Sequence, residues 1–452
     1  MKKGMFFALA ASSLLFSACS SDDAVVSTEG QNEAVQQIVL HVASSGDGLT
    51  TRAGRPLYSS QALQTIQNVR VLIYNADTKA IVKDEKKDWK TSTTYTNHGR
   101  ELTLTYKGDQ RLGEGNYKVM AVGYSDNSDY TYDLNVAGKD ALTGTYKDIT
   151  ATLKANKVAE EVFAGDAELN INADKKITNL TSGEEDGLDV TLHRQVAGSF
   201  GYFCNIPASV NGKAAATLRL VVRDKNDMLT FKDFNSSFTT TGSTIKYYVN
   251  GSTSTGVALA TTDKFSNGDK GYVLYSIDLD TWFPGGDNNH DGLLNADDTN
   301  WDHPADVKTQ VVKGSVFGSN FVIPFNYAEG KNTMELQLLD AENNIIKTWT
   351  VSIPESDVNK VAANGATDAS ASIFNVVRNH MYNLGVKTSN GTTTPPDPSN
   401  PDPDPNKPDP DKPDPDKPKP GTDEPEDLSK SQNLILKVND NWEAIHKLVL
   451  GD

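Results

Sequence analysis

Positions 287–298, the run DNNHDGLLNADD, place oxygen-bearing side chains at regular intervals that suit a metal ion. Asp287, Asn289 and Asp291 fall at the first, third and fifth positions of a calcium loop, and Gly292 falls at its sharp turn. Leu293 offers a backbone carbonyl at the seventh position, Asn295 stands at the ninth and Asp298 at the twelfth. Calcium is a hard cation that takes roughly six to eight oxygen ligands, and this run supplies them without sulfur or imidazole. The expectation is a structural calcium ion that stiffens the loop. The plain alternative is an acidic surface loop, since Trp282-Phe283-Pro284-Gly285-Gly286 before it does not read as an EF-hand helix. Catalytic patterns are missing. The seven histidines are dispersed, and there is no His-Glu-x-x-His, no Gly-x-Ser-x-Gly and no phosphate-cradling glycine loop. Cys204, in the aromatic stretch GYFCNIP, reads as a small buried hydrophobe. The chain is not expected to be an enzyme. Carboxylates that meet only in space leave no sequence mark, so a carbohydrate-active enzyme stands as a third reading.

Two further positions carry chemistry done to the chain. Residues 1–19 read MKKGMFFALAASSLLFSAC: a basic start, an apolar run from Met5 to Phe16 too short to span a bilayer comfortably, then small residues before Cys19. This resembles a bacterial lipobox, which makes Cys19 the lipidated residue and anchors the protein to a membrane without a spanning helix. Ser20-Ser21-Asp22-Asp23 resembles the acidic tract that directs some lipoproteins to the cell surface. Further on, Thr51-Arg52-Ala53 offers a cleavage point between Arg52 and Ala53, whereas Arg55 is a poorer one because Pro56 follows it.

The scaffold around these residues reads as β-strands. The chain has 452 residues, a formal net charge of −17 and two cysteines, Cys19 and Cys204. A disulfide scaffold, a cysteine zinc site and an iron–sulfur cluster are thereby excluded, and so strong an acidity argues against nucleic acid as a partner. From VRVLIYN at 69–75 onward, short alternating runs follow one another, separated by Gly, Asn, Asp and Ser. That spacing predicts an all-β protein of sandwiches, with an N-terminal domain over 53–194 and a C-terminal one over 195–388 that carries the calcium-type loop. Thirteen of the 19 prolines then fall between Pro395 and Pro425. Their alternation with Asp and Lys predicts a linker over 389–430 in extended polyproline II, a semi-rigid spacer.

After the spacer, residues 431–452 turn β-like again, with Leu434, Leu436 and Val438 on one alternating face and Trp442 nearby. A lone strand is marginal in water and needs a sheet to join. The first 33 residues after Cys19 (20–52) hold its counterpart, a β-rich strand over 35–43 that a cut at Arg52 would remove. A sandwich that loses a strand exposes an apolar groove and unpaired backbone, which a strand from another copy can fill. On this reading the tail is the donor strand and the leader its removable predecessor. The plain alternative is a tail that packs on the chain's own C-terminal domain.

The order of these segments resembles the fimbrillins, structural subunits of type V pili. The resemblance rests on the lipobox, the leader strand, Thr51-Arg52-Ala53, VRVLIYN, Gly115-Asn116-Tyr117-Lys118-Val119, Leu192-His193-Arg194-Gln195-Val196-Ala197 and Val377-Arg378-Asn379-His380-Met381-Tyr382. It implies two transthyretin-like β-sandwich domains with Greek-key connections and export as an outer-membrane lipoprotein. It also implies trimming by an Arg-specific protease and head-to-tail polymerisation with other copies and related fimbrial subunits. The alternative is a surface lipoprotein adhesin, a tip or anchor subunit that binds a host or glycan ligand without polymerising.

Overall fold

The computed structural model describes residues 35–42, 66–92, 94–96, 99–125, 128–133, 144–146, 149–179, 187–223, 225–231, 250–253, 264–305, 307, 311–326, 334–352, 375–376, 378, 381–386, 423–430, 433–435 and 437–439. The protein is all-β, and among the described residues the α-helices are four-residue turns, Trp89–Ser92 and Leu279–Trp282. No helix among them is long and apolar enough to cross a membrane.

The principal strands of the first half are β1 (Gln36–Val42), β2 (Asn68–Asn75), β3 (Ile81–Asp88), β4 (Gly99–Tyr106), β5 (Gly115–Tyr124), β6 (Tyr130–Asp133), β7 (Ile149–Leu153), β8 (Phe163–Ile171) and β9 (Gly187–Arg194). Those of the second half are β10 (Ala197–Cys204), β11 (Thr217–Val222), β12 (Met228–Phe231), β13 (Tyr272–Asp278), β14 (Ser315–Val322), β15 (Met334–Leu339), β16 (Ile345–Ser352), β17 (Met381–Leu384), β18 (Asn433–Ile435) and β19 (Lys437–Asn439).

An eight-stranded sheet runs β3-β2-β5-β8-β9-β1-β4 and ends on the short strand Thr94–Thr96. It folds over on itself at β9, whose last residues His193 and Arg194 pair with β8 while Gly187 to Leu192 pair with β1. Val69, Val71 and Ile73 of β2 thereby face Ile38, Leu40, Leu102 and Val190 across one core. The other face of the same strands, Leu72 and Tyr74 of β2 with Met120 and Val122 of β5, packs on a second sheet of β6, β7, β12 and Gly251–Ser252. Burial on both faces explains why VRVLIYN is almost continuously apolar instead of alternating.

That second sheet joins the two halves, because β12 pairs with β7. The expected boundary at 194/195 runs through a buried network. Arg194 is paired with Glu161 at 2.8 Å. The fully buried Gln195 donates to the carbonyls of Ala164 at 3.2 Å and His193 at 2.8 Å, and its Oε1 accepts from Asn250 and Arg378, each at 3.2 Å.

The remaining strands form a sandwich of β14-β10-β17-β19 against β13-β11-β15-β16-β18. One flank is sealed where β13 meets β14: a Cβ on Gly318 would lie 2.4 Å from Ile277 Cγ1, and Asn320 Nδ2 donates to the Leu274 carbonyl at 2.8 Å. The tail closes the other flank. β18 adds parallel to β16 and β19 antiparallel to β17, so the tail steps from one sheet edge to the other. The expectation of a tail with no sheet of its own is corrected here: Leu434 is fully buried in its own domain's core, and the Val438 backbone pairs with Tyr382. Leu436 and Trp442 lie outside the described residues.

The linker expected over 389–430 also ends earlier. Residues 423–430 are docked: Glu424 bridges Val386, Glu426 and Asp427 pair parallel with Phe203 and Cys204, and Leu428 is fully buried. The reason is local. Leu428 supplies an apolar anchor, and its N–H donates to the Cys204 carbonyl at 3.0 Å.

Candidate functional site: the leader-strand slot and the calcium-type loop

Alternation puts Gln36, Ile38 and Leu40 of β1 inward and leaves Gln37, Val39 and His41 partly exposed. β1 is an interior strand, antiparallel to β4 with Ile38 opposite Leu104 and Leu40 opposite Leu102, and parallel to β9 with Ile38 beside Leu188 and Leu40 beside Val190. Ile38 and Leu40 are at most 1% exposed. Each such side chain contributes about 1.5–3 kcal/mol through burial.

The buried Gln36 sets the register. Its Nε2 donates to the carbonyls of Leu112 at 3.0 Å and Lys175 at 2.9 Å, while its Oε1 accepts the Leu112 N–H at 2.8 Å. On the outer face, His41 Nε2 and Thr191 Oγ1 lie 2.8 Å apart. Taking β1 away would leave the inner edges of β4 and β9 unpaired and open a trough lined by Leu102, Leu104, Leu188 and Val190, with the polar groups of Leu112 and Lys175 at one end. This polar end was not foreseen from the sequence. A glutamine in an apolar strand was its one visible mark.

The calcium-type loop is closed by its own hydrogen bonds. Asp287 accepts from the N–H groups of His290 at 2.7 Å and Gly292 at 2.8 Å, Asn289 from Asp291 at 2.9 Å, and Asp291 from Leu293 at 2.8 Å. Gly292 sits at φ +89°, the turn for which the residue was singled out. Asn295 Nδ2 donates to Asp291 Oδ2 at 2.9 Å. Hydrogen bonds from Asn295, then from the Leu293 N–H and Asn289, hold the Asp291 carboxyl below its usual range. Asp298 is fully buried and accepts from the N–H groups of Asn288 at 3.0 Å and Asn295 at 2.9 Å. Among the described residues, no three His, Cys, Asp or Glu side chains converge as a metal-holding group. Cys19, Arg52 and Ala53 lie outside the described residues. Burial, then the nearby Asp427, pushes the Cys204 thiol up to about 11, which fits a structural and unreactive cysteine.

No protein-family model matches the chain, and no curated protein matches it. Among solved structures it is similar to a fimbrial assembly protein from Parabacteroides distasonis, at 12% identity over 79% of this chain and 93% of that one, with a TM-score of 0.34. It is also similar to the fimbrial anchor protein Mfa2 from Porphyromonas gingivalis, at 10% identity over 78% and 90% of the two chains, TM-score 0.31. A third is the tip fimbrial protein Mfa3 from the same organism, at 10% identity over 77% and 94%, TM-score 0.29. These three are described as fimbrial proteins, and others among the similar structures as adhesins.

Proposed function

We propose that the protein is a structural subunit of a surface fimbrium that supports adhesion. It is exported as an outer-membrane lipoprotein on Cys19, trimmed between Arg52 and Ala53 by an Arg-specific protease, and polymerised head-to-tail by strand exchange with other copies or related subunits. The observation that carries this reading is the interior position of β1, flanked by β4 and β9, on the N-terminal side of a Thr-Arg-Ala junction. Its removal would create an acceptor for a strand between β4 and β9. The reading assigns no catalytic role. We also propose that the 287–298 loop takes a structural calcium ion, held by Asp287, Asn289, Asp291, Asn295, Asp298 and the Leu293 carbonyl.

One observation favours the second reading, an anchor or adhesin that keeps its leader: in the single chain β1 fills its slot while the tail rests in its own C-terminal sandwich. The N-terminal residue of the protein recovered from the cell surface decides between them. Ala53 supports the subunit reading, and a lipid-modified Cys19 supports the anchor.

A further inference from the structure

Residues 36–42 read QQIVLHV and residues 432–438 read QNLILKV. At a constant offset, Gln36 matches Gln432, Leu40 matches Leu436 and Val42 matches Val438, while Ile38 is replaced by Leu434, Val39 by Ile435, Gln37 by Asn433 and His41 by Lys437. Every inward position keeps its character and every outward one stays polar or aliphatic as before. The glutamine matters most. A generic apolar strand would leave the Leu112 N–H and the Leu112 and Lys175 carbonyls facing a side chain that cannot answer them.

We infer that residues 432–438 are a register-matched copy of the leader strand, built to enter the β1 slot of a second copy with Gln432 in the place of Gln36. This rests on the strand-exchange reading above and names its register and direction. The copied order runs the same way along the chain, so the incoming strand lies parallel to β9 and antiparallel to β4, as β1 does.

The pairing available in the two places gives the exchange a direction. At home, β18 and β19 are three residues each and, among the described residues, pair on one side only. In the slot, β1 has a partner strand on each side, and five of its seven residues, Gln37 to His41, are paired on both. A strand that moves from the first situation to the second gains a ladder on its free side, and its backbone groups are more fully satisfied.

Two experiments test the inference. The first needs no polymer: in the full-length precursor the leader is given the tail's residues by Gln37→Asn, Ile38→Leu, Val39→Ile and His41→Lys together. The melting temperature should stay within about 2 °C of the parent. A control leader that carries the same tail sequence shifted by one residue should melt far lower, because its apolar face then points outward. A matched leader that melts as low as the shifted one overturns the inference.

The second reads the register directly. Val39 pairs with Thr103, so after Arg-specific trimming Ile435→Cys with Thr103→Cys should form a disulfide between copies, and Lys437→Cys with Thr103→Cys should not. Linkage through position 437 in place of 435 overturns the register while leaving strand exchange standing. Failure of the unsubstituted trimmed chain to assemble overturns the reading beneath it.

Discussion

Val386 and Glu424 hydrogen-bond to each other in both directions, Val386 N to Glu424 O at 2.8 Å and Glu424 N to Val386 O at 2.9 Å. The proline-rich stretch between them therefore leaves and re-enters the body at one point. Its ends are pinned further by Gly385 at φ +78°, where a Cβ would lie 2.5 Å from the Tyr202 carbonyl oxygen. The arm beyond Lys430 is rooted on its own domain and does not hang from the end of a long spacer.

A cut inside that stretch should therefore not release the C-terminal piece. A site-specific protease sequence inserted between Asp404 and Pro405, once cleaved, should leave body and fragment co-eluting on native size exclusion. Leu428→Asp in the same cleaved protein should free the fragment, since a carboxylate cannot occupy that buried position without a partner.

The clamp should also weaken in acid. Partial burial pushes the Asp427 carboxyl up, but hydrogen bonds from Lys430, Ser429 and Asn205 outweigh it and hold the group at about 2, against an ordinary 3.8. A lowered folded value means that the stabilisation is present above pH 3.8 and is lost as pH falls toward 2. Fragment release from the cleaved protein, followed by size exclusion across that window, should rise on acidification and be flatter in Asp427→Asn.

Gln36→Met keeps the length of the side chain and removes its amide. It takes the side-chain partner from the buried N–H and carbonyl of Leu112 and from the part-buried carbonyl of Lys175, at a cost of about 1–3 kcal/mol for each group that water cannot reach. Denaturant unfolding of the precursor should show the loss as a lower midpoint with an unchanged slope.

How much of this could be read in the residues differs by element. The all-β architecture was legible, because alternation and turn residues recur along the body. So was the leader strand, whose inward Ile38 and Leu40 stand where the pattern puts them. The home of the tail was not. Leu434 signals a face to be buried but carries no mark of which sheet edge will bury it, and a Val386–Glu424 bridge made only by backbone leaves no signature in side chains. The junction at Arg194 and Gln195 is expected as a boundary because the strands group on either side of it. It is a buried network because Glu161, Asn250 and Arg378 arrive from far along the chain.

That junction yields its own test. Glu161→Ala removes the carboxylate paired with the guanidinium of Arg194, which is 9% exposed and stacked 5.2 Å from the Phe163 ring centre. Breaking one side of such a buried pair costs about 3–5 kcal/mol. Because β7 and β12 share a sheet, both halves should melt together in calorimetry, in the variant as in the parent.

For the loop, millimolar-order calcium should raise the melting temperature of the parent and leave Asp287→Ala/Asp291→Ala unmoved. An identical melting point for the parent with and without the ion would dispose of the site.

On the proposed reading, trimming opens the β1 slot to a strand from another copy. Its most direct measurement is a denaturing gel, loaded without boiling, of the full-length protein before and after Arg-specific proteolysis, alongside Leu436→Asp. The trimmed parent should give a ladder of multimers, and both the untrimmed protein and the trimmed Leu436→Asp chain should give monomers. Trimmed parent protein that stays monomeric with residues 53–452 intact would contradict that reading.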